Sequence, residues 1–350
     1  MPYCNYIYNG LTIDTDKQVR PCCHMDDNYP GMQDVWLDNF DHNADTNFPM
    51  LAKTMENGWH PSCQVCKDDE EIGKYSARQR ANTEFSKLPN GQYSMIDLKL
   101  SNTCNLACVM CGPGASSSWT QIVKQNADIV KYNEGLKNKS TRFNWEVTPA
   151  VFDMMKNADF LKFTGGEPFL IKDVKKICRS IVNSGRDLSN VKLEITTNGN
   201  VVLDDEWYDI LNAFKTELHI SVDGYGSRYE YIRPGSSWTM LLDFIHTTKQ
   251  KFNGYIMISV VAQALNYIQL PLMKKWSQEL DVEIDISEIL YHPYFLNNSS
   301  VSPALREKYG FESIHQWEPK NFEKMKLYLE RLDKIHGTDF KTECGEFFDE

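Results

Sequence analysis

Positive charge is in deficit in this 350-residue chain: 37 Lys and Arg stand against 48 Asp and Glu, for a formal charge of −11. An acidic chain repels phosphate backbones, so general nucleic-acid binding is disfavoured. Long apolar runs are missing as well. The most apolar stretch, Tyr255 to Met273, is interrupted by Ser259, Gln263, Asn266, Gln269 and Pro271, well short of the roughly 20 apolar residues a membrane span needs. The opening Met1-Pro2-Tyr3-Cys4 lacks the charged-then-apolar layout of an export signal. A cytoplasmic address without a membrane partner is therefore expected. With 41% hydrophobic and 24% charged residues, disordered and fibrous classes are excluded. The length points to one large domain plus a smaller appendage.

Cysteine is scarce beyond residue 111, where only Cys178 and Cys344 occur, and abundant before it. Cys4, Cys22, Cys23, Cys63, Cys66, Cys104, Cys108 and Cys111 account for eight of the ten. In a chain without an export signal, disulfides are not the expectation, and clustered thiols point to metal or redox work. Cys178 falls on the apolar face of a predicted helix and reads as a core residue. Cys344 has no evident partner.

From about residue 95, apolar runs alternate with helical patterns. Met95–Leu100, Phe160–Phe163, Val191–Thr196, Leu218–Val222, Tyr255–Val261 and Val282–Leu290 read as strands. Asp173–Asn183, Glu206–Phe214, Trp238–Lys251 and Leu272–Leu280 read as helices. Such alternation demands a parallel sheet. Six units predict an α/β fold of the partial (β/α)6 barrel type rather than a complete eight-fold barrel. The polar segment Lys131–Asn144 reads as a surface loop or lid. Residues 1–86 are expected to form a Cys-rich module with a hairpin (Tyr6–Ile13, a turn at Asp14–Lys17, then Gln18–Pro21) and a linker helix over Asp68–Phe85. Residues 87–292 form the predicted barrel, and 293–350 a loop followed by a helix over Asn321–Ile335.

Cys104, Cys108 and Cys111 lie in Ser101-Asn102-Thr103-Cys104-Asn105-Leu106-Ala107-Cys108-Val109-Met110-Cys111, directly after the first predicted barrel strand. Three thiols at this spacing can wrap one face of a cubane iron–sulfur cluster, whose full thiolate set would be four. The vacant iron then accepts an outside ligand, as an open position does at a catalytic metal. A zinc site is the alternative, although zinc knuckles usually pair Cys-x2-Cys units or add His, and no nearby His is present.

This loop on a six-fold βα barrel resembles the radical S-adenosylmethionine (SAM) superfamily. The resemblance implies a [4Fe-4S] cluster on Cys104, Cys108 and Cys111, with the amine and carboxylate of SAM on the open iron. It also implies reductive cleavage of SAM to a 5′-deoxyadenosyl radical that abstracts a substrate hydrogen. Met110 stands where many members carry an aromatic residue and is bulky enough to pack against adenine. Thr164-Gly165-Gly166-Glu167-Pro168 resembles the family's Gly-Gly-Glu-Pro element, in which Glu167 would accept hydrogen bonds from the SAM ammonium. Asn198 and the Ser221-Val222-Asp223 run resemble the polar strand ends near ribose and carboxylate. Arg233 resembles the arginine that pairs with the SAM carboxylate, which suits a forked guanidinium. Gln263 and Asn266 are candidates for adenine contacts. Apart from any resemblance, these motifs all follow predicted strands, at the rim where parallel barrels carry chemistry.

The N-terminal thiols resemble the twitch, or half-SPASM, modules of peptide-modifying radical SAM proteins, except that here the module precedes the barrel. The resemblance implies a second iron–sulfur cluster, of [4Fe-4S] type, on Cys4, Cys22, Cys63 and Cys66, with Cys23 as the alternative to Cys22 and His24 able to replace a thiolate. A zinc ribbon at Cys63-x2-Cys66 remains the competing reading. Together these features imply a radical SAM enzyme acting on a peptide or protein and served by a flavodoxin- or ferredoxin-type electron donor. The alternatives are a nucleotide, sugar or tRNA substrate, or a non-catalytic metal-binding scaffold. Glu167 and Arg233 argue against the scaffold, which needs no clamps for an amine or a carboxylate.

Overall fold

The structure is a computed structural model and describes residues 2–25, 35–41, 44–71, 73–89, 91–137, 145–287, 290, 292–313 and 315–348. Eight strands are ordered β2-β1-β3-β4-β5-β6-β7-β8 in one sheet whose two edges remain unjoined. They are β1 (Gly10–Ile13), β2 (Val19–Arg20), β3 (Met95–Leu98), β4 (Phe160–Phe163), β5 (Lys192–Thr197), β6 (Lys215–Ser221), β7 (Tyr255–Val261) and β8 (Glu283–Ser287). The fold is thus the α/β partial-barrel type. The six expected strands are β3 to β8, shifted by a few residues at their ends. The last two positions but one of the expected sixth strand, residues 288 and 289, lie outside the described residues.

Contacts divide the chain into two compact units: Met1–Ser101 with Arg142–Ile195 and Asp204–Glu217, and Asn102–Thr141 with Thr196–Leu203 and Leu218–Glu350. In the first unit, β1 runs parallel to β3 with Gly10 opposite Met95 and Ile13 opposite Leu98. β3 is likewise parallel to β4, and β4 to β5. The N-terminal segment therefore extends the sheet instead of standing beside it. Its hairpin is shorter than expected. Only Thr12↔Arg20 and Ile13↔Val19 pair antiparallel, because Tyr6–Asn9 forms a helical turn.

The expected linker helix is likewise split into Gln64–Glu71 and Ala77–Glu84. Gly73 sits at φ +78°, a left-handed conformation that ends helices, and Ser76 caps the second piece in a capping box with Gln79. That second helix buries Ala81 with Phe85, Met95 and Phe160, and the rings of Phe85 and Phe160 stack 5.2 Å apart.

In the second unit, β7 and β8 pair in parallel from Met257↔Glu283 to Val261↔Ser287. A large apolar core joins Val109 and Trp119 to Ile232, Leu265, Leu296 and the inner face of the Pro319–His336 helix through Met325, Tyr328, Leu329 and Leu332. That helix begins two residues before the expected Asn321. Part of the expected lid, residues 138–144, lies outside the described residues. The described part forms short 3-10 turns anchored by the fully buried Leu136.

Candidate functional site

The loop after β3 is held by its own backbone and by polar side chains of the second unit. Ser116 caps the Ser117–Gln125 helix and donates its hydroxyl hydrogen to the Leu106 carbonyl (2.6 Å). Ser118 donates to the Cys104 carbonyl (3.0 Å), and the Trp119 indole donates to the Cys108 carbonyl (2.8 Å). Ala107 and Val109 donate backbone N–H groups to the Pro234 and Ile232 carbonyls, both at 2.9 Å. Gly235, at φ +94°, approaches so closely that an added Cβ would lie 3.0 Å from the Asn105 carbonyl. A rigid loop thus presents Cys104, Cys108 and Cys111.

Polar side chains aim at the sulfurs. Arg233 donates to Cys108 Sγ (3.6 Å) and pairs with Asp223. Asn198 Nδ2 lies 3.8 Å from Cys104 Sγ and donates to Asn105 Oδ1 at 2.8 Å. Asp223 in turn accepts the Val261 N–H (2.9 Å). Burial works against the Arg233 charge, but Asp223 and then Cys108 outweigh it, so the group stays firmly cationic. A proton shared with Cys111, together with burial, pushes Cys108 well up, while the same bond draws Cys111 down.

Arg233 Nε and both polar atoms of the Gln263 side chain are buried without a hydrogen-bond partner. Buried orphans of this kind normally await a ligand or water. Met110 is half-buried against the apolar core, and Ser221 ends β6. Asn266, instead of turning to a ligand, spends its amide on the Asp223 and Val261 carbonyls.

Asn105, Asn200 and Tyr229 were not anticipated from the sequence. Asn105 donates to the Asn200 carbonyl (2.8 Å), Asn200 donates to the Tyr229 hydroxyl (2.6 Å), and that hydroxyl donates to the Asn198 carbonyl (3.2 Å). The only sequence signal was the proximity of Asn105 to Cys104 and of Asn200 to Asn198.

The Gly165-Gly166-Glu167 turn follows β4 in the first unit. Gly165 takes φ +105°, and an added Cβ would lie 3.1 Å from the Ser101 carbonyl, so the position demands glycine. Gly166 donates its N–H to the same carbonyl (3.0 Å). Glu167 is fully buried and accepts the Phe169 N–H at 3.1 Å.

Also in the first unit, Cys4, Cys22, Cys63 and Cys66 line one narrow cavity of about 20 Å³ together with His24, Trp59 and Arg78. Burial pushes the Cys4 and Cys63 thiols up to about 12 and raises Cys22 and Cys66 as well. The Tyr6 N–H faces Cys4 and the Arg78 N–H faces Cys66, each favouring the thiolate. Cys23 instead lines a different cavity with Asp97, Lys162 and Glu194. Cys178 and Cys344 are fully buried.

Residues 98–263 match the Radical SAM superfamily, a span from the end of β3 to just past β7. That span is a little under half of the chain. Among curated proteins, 67% of the chain aligns at 24% identity with Molybdenum cofactor biosynthesis protein 1 of Dictyostelium discoideum, covering 36% of that protein. A shorter alignment, over 37% of the chain at 28% identity, covers 34% of GTP 3′,8-cyclase from Clostridium botulinum. The chain thus spans about a third of the length of these relatives. A solved structure of native anSMEcpe with bound AdoMet is similar at 17% identity and a TM-score of 0.42, over 70% of this chain and 62% of that one. Among the described residues, no helix is long and apolar enough to cross a membrane.

Proposed function

We propose that the chain is a radical SAM enzyme that cleaves SAM reductively and uses the resulting 5′-deoxyadenosyl radical to take a hydrogen atom from a nucleotide-type small molecule. The observation that carries this reading is the rigid three-thiol loop with a cation, Arg233, and an amide, Asn198, turned toward its sulfurs. Three thiols with no neighbouring His in the sequence suit one face of a cubane cluster better than the four-ligand set of a structural zinc. A cluster held there supplies one electron to the SAM sulfonium. The protein's own part is to orient. Within the second unit, Arg233 suits the SAM carboxylate and Gln263 offers an unpaired amide to the base; the amine is assigned to Glu167 on the resemblance of its Gly-Gly-Glu-Pro motif alone.

The nucleotide class rests on the GTP named for the Clostridium botulinum relative. It replaces the peptide expected from the N-terminal module's resemblance. The four thiols of the first unit, with two backbone N–H groups facing them, support a second iron–sulfur cluster on Cys4, Cys22, Cys63 and Cys66.

The test is anaerobic. Reconstituted protein, dithionite and SAM should release 5′-deoxyadenosine and methionine, and Cys104→Ala should release neither. Purine nucleotides, but not peptides, should raise the turnover. Zinc at the triplet, or full activity of Cys104→Ala, removes the reading; stimulation by peptides alone returns the substrate to that class.

A further inference from the structure

The proposed reaction consumes electrons, and an acidic chain poses a problem for any acidic protein that delivers them: at −11 the molecule as a whole repels it. One place on the second unit reverses the sign. Lys131, Tyr132, Lys320, Lys324 and Leu327 line a groove of about 510 Å³ shared with a single carboxylate, Glu323. Lys131, Lys320 and Lys324 are exposed. Leu327 is 51% exposed, an apolar residue of that size open to water at the middle of a basic rim. Tyr132 lies half-buried beside it. An apolar centre among three lysines and one carboxylate is net positive and has the layout of a protein interface for an acidic partner.

The groove's position gives it meaning. Lys320, Lys324 and Leu327 stand on the Pro319–His336 helix. The opposite face of that helix packs on the cysteine loop. Tyr328, one residue from Leu327, donates its hydroxyl hydrogen to the Val109 carbonyl at 3.0 Å, between Cys108 and Cys111. Met110, Cys111 and Tyr132 pack against the same core as Met325 and Leu329. One helix therefore touches the candidate cluster loop on one side and presents the lysines on the other.

We propose that this groove is the docking surface for a small acidic one-electron flavoprotein of the flavodoxin type. The inference rests on the radical SAM reading and names the partner of that same site. On docking, the carrier would give one electron to a cluster held by Cys104, Cys108 and Cys111, with no bond made or broken. Lysine ammonium groups steer the acidic carrier to the surface, a rate effect that salt should screen. Leu327 and Tyr132 supply its apolar contact.

The experiment compares two reductants on the full chain. With flavodoxin hydroquinone as donor, Lys320→Glu/Lys324→Glu should release 5′-deoxyadenosine about tenfold more slowly than the unaltered protein and lose most of the salt dependence. With dithionite, which needs no docking, the two proteins should be equal. Lys131→Glu, on a different element, should show the same split in smaller measure. Equal flavodoxin-driven rates in all three proteins overturn the proposal, as does an equal loss with both reductants, which would mark a fold effect. If the unaltered protein yields no deoxyadenosine even with dithionite, the radical SAM reading itself fails, and the docking proposal with it.

Discussion

Cys22 and Cys23 are neighbours in the chain with different surroundings. Cys22 lines the cavity shared by Cys4, Cys63 and Cys66, while Cys23 lines another with Asp97 and Lys162. Burial raises Cys22, whereas at Cys23 burial, the largest influence, is outweighed by the hydrogen bond and charge of His24 acting together with Lys162, which draw the thiol down. Cys22→Ser is therefore expected to lower iron per chain after anaerobic reconstitution by one cluster's worth, and Cys23→Ser to leave it unchanged. Equal iron in both variants, or the reverse order, would assign the fourth ligand differently. Sequence spacing could not choose between them, since the two adjacent thiols stand almost equally far along the chain from Cys4, Cys63 and Cys66. The same limit hid Asn105, Asn200 and Tyr229, whose hydrogen bonds join segments about 95 and 29 residues apart.

At the scale of elements, the cysteine loop is held by the first turn of the helix that follows it. Ser116 both accepts the Trp119 N–H (3.3 Å) and donates to the Leu106 carbonyl (2.6 Å). Ser116→Ala should cost about 1 kcal/mol of stability and speed loss of iron from the triplet under a chelator. Ser116→Thr, which keeps the hydroxyl, should recover most of both. A denaturant melt and a chelation time course check this, and no change in either would separate the cap from the loop. Strands were the most legible elements, because short β-branched runs flanked by polar turns leave little else to form. Helix limits were less so. The break near Gly73 needed a left-handed glycine and a serine cap that the composition of Asp68–Phe85 alone did not announce.

At the scale of the whole molecule, the C-terminal residues are part of the second unit's core. Glu346 pairs with Arg228, both side chains less than a tenth exposed, and Arg228 also donates to the Leu265 carbonyl (2.7 Å). Glu346→Ala leaves a buried cation without its partner and should cost about 3–5 kcal/mol in urea unfolding. Glu346→Gln, which keeps a hydrogen-bond acceptor, should cost less, and equal stabilities would show that the pair is not a core element. The sequence by itself determined the alternating strand–helix pattern, the three-thiol loop and the polar motifs after the strands. Those are carried by local periodicity and spacing. Only the tertiary structure decided which N-terminal thiols share a cavity, that β1 lies parallel to β3, and that the Pro319–His336 helix rests on the cysteine loop. These depend on contacts between residues far apart in the chain, which are selected by packing and burial and leave no local pattern to read.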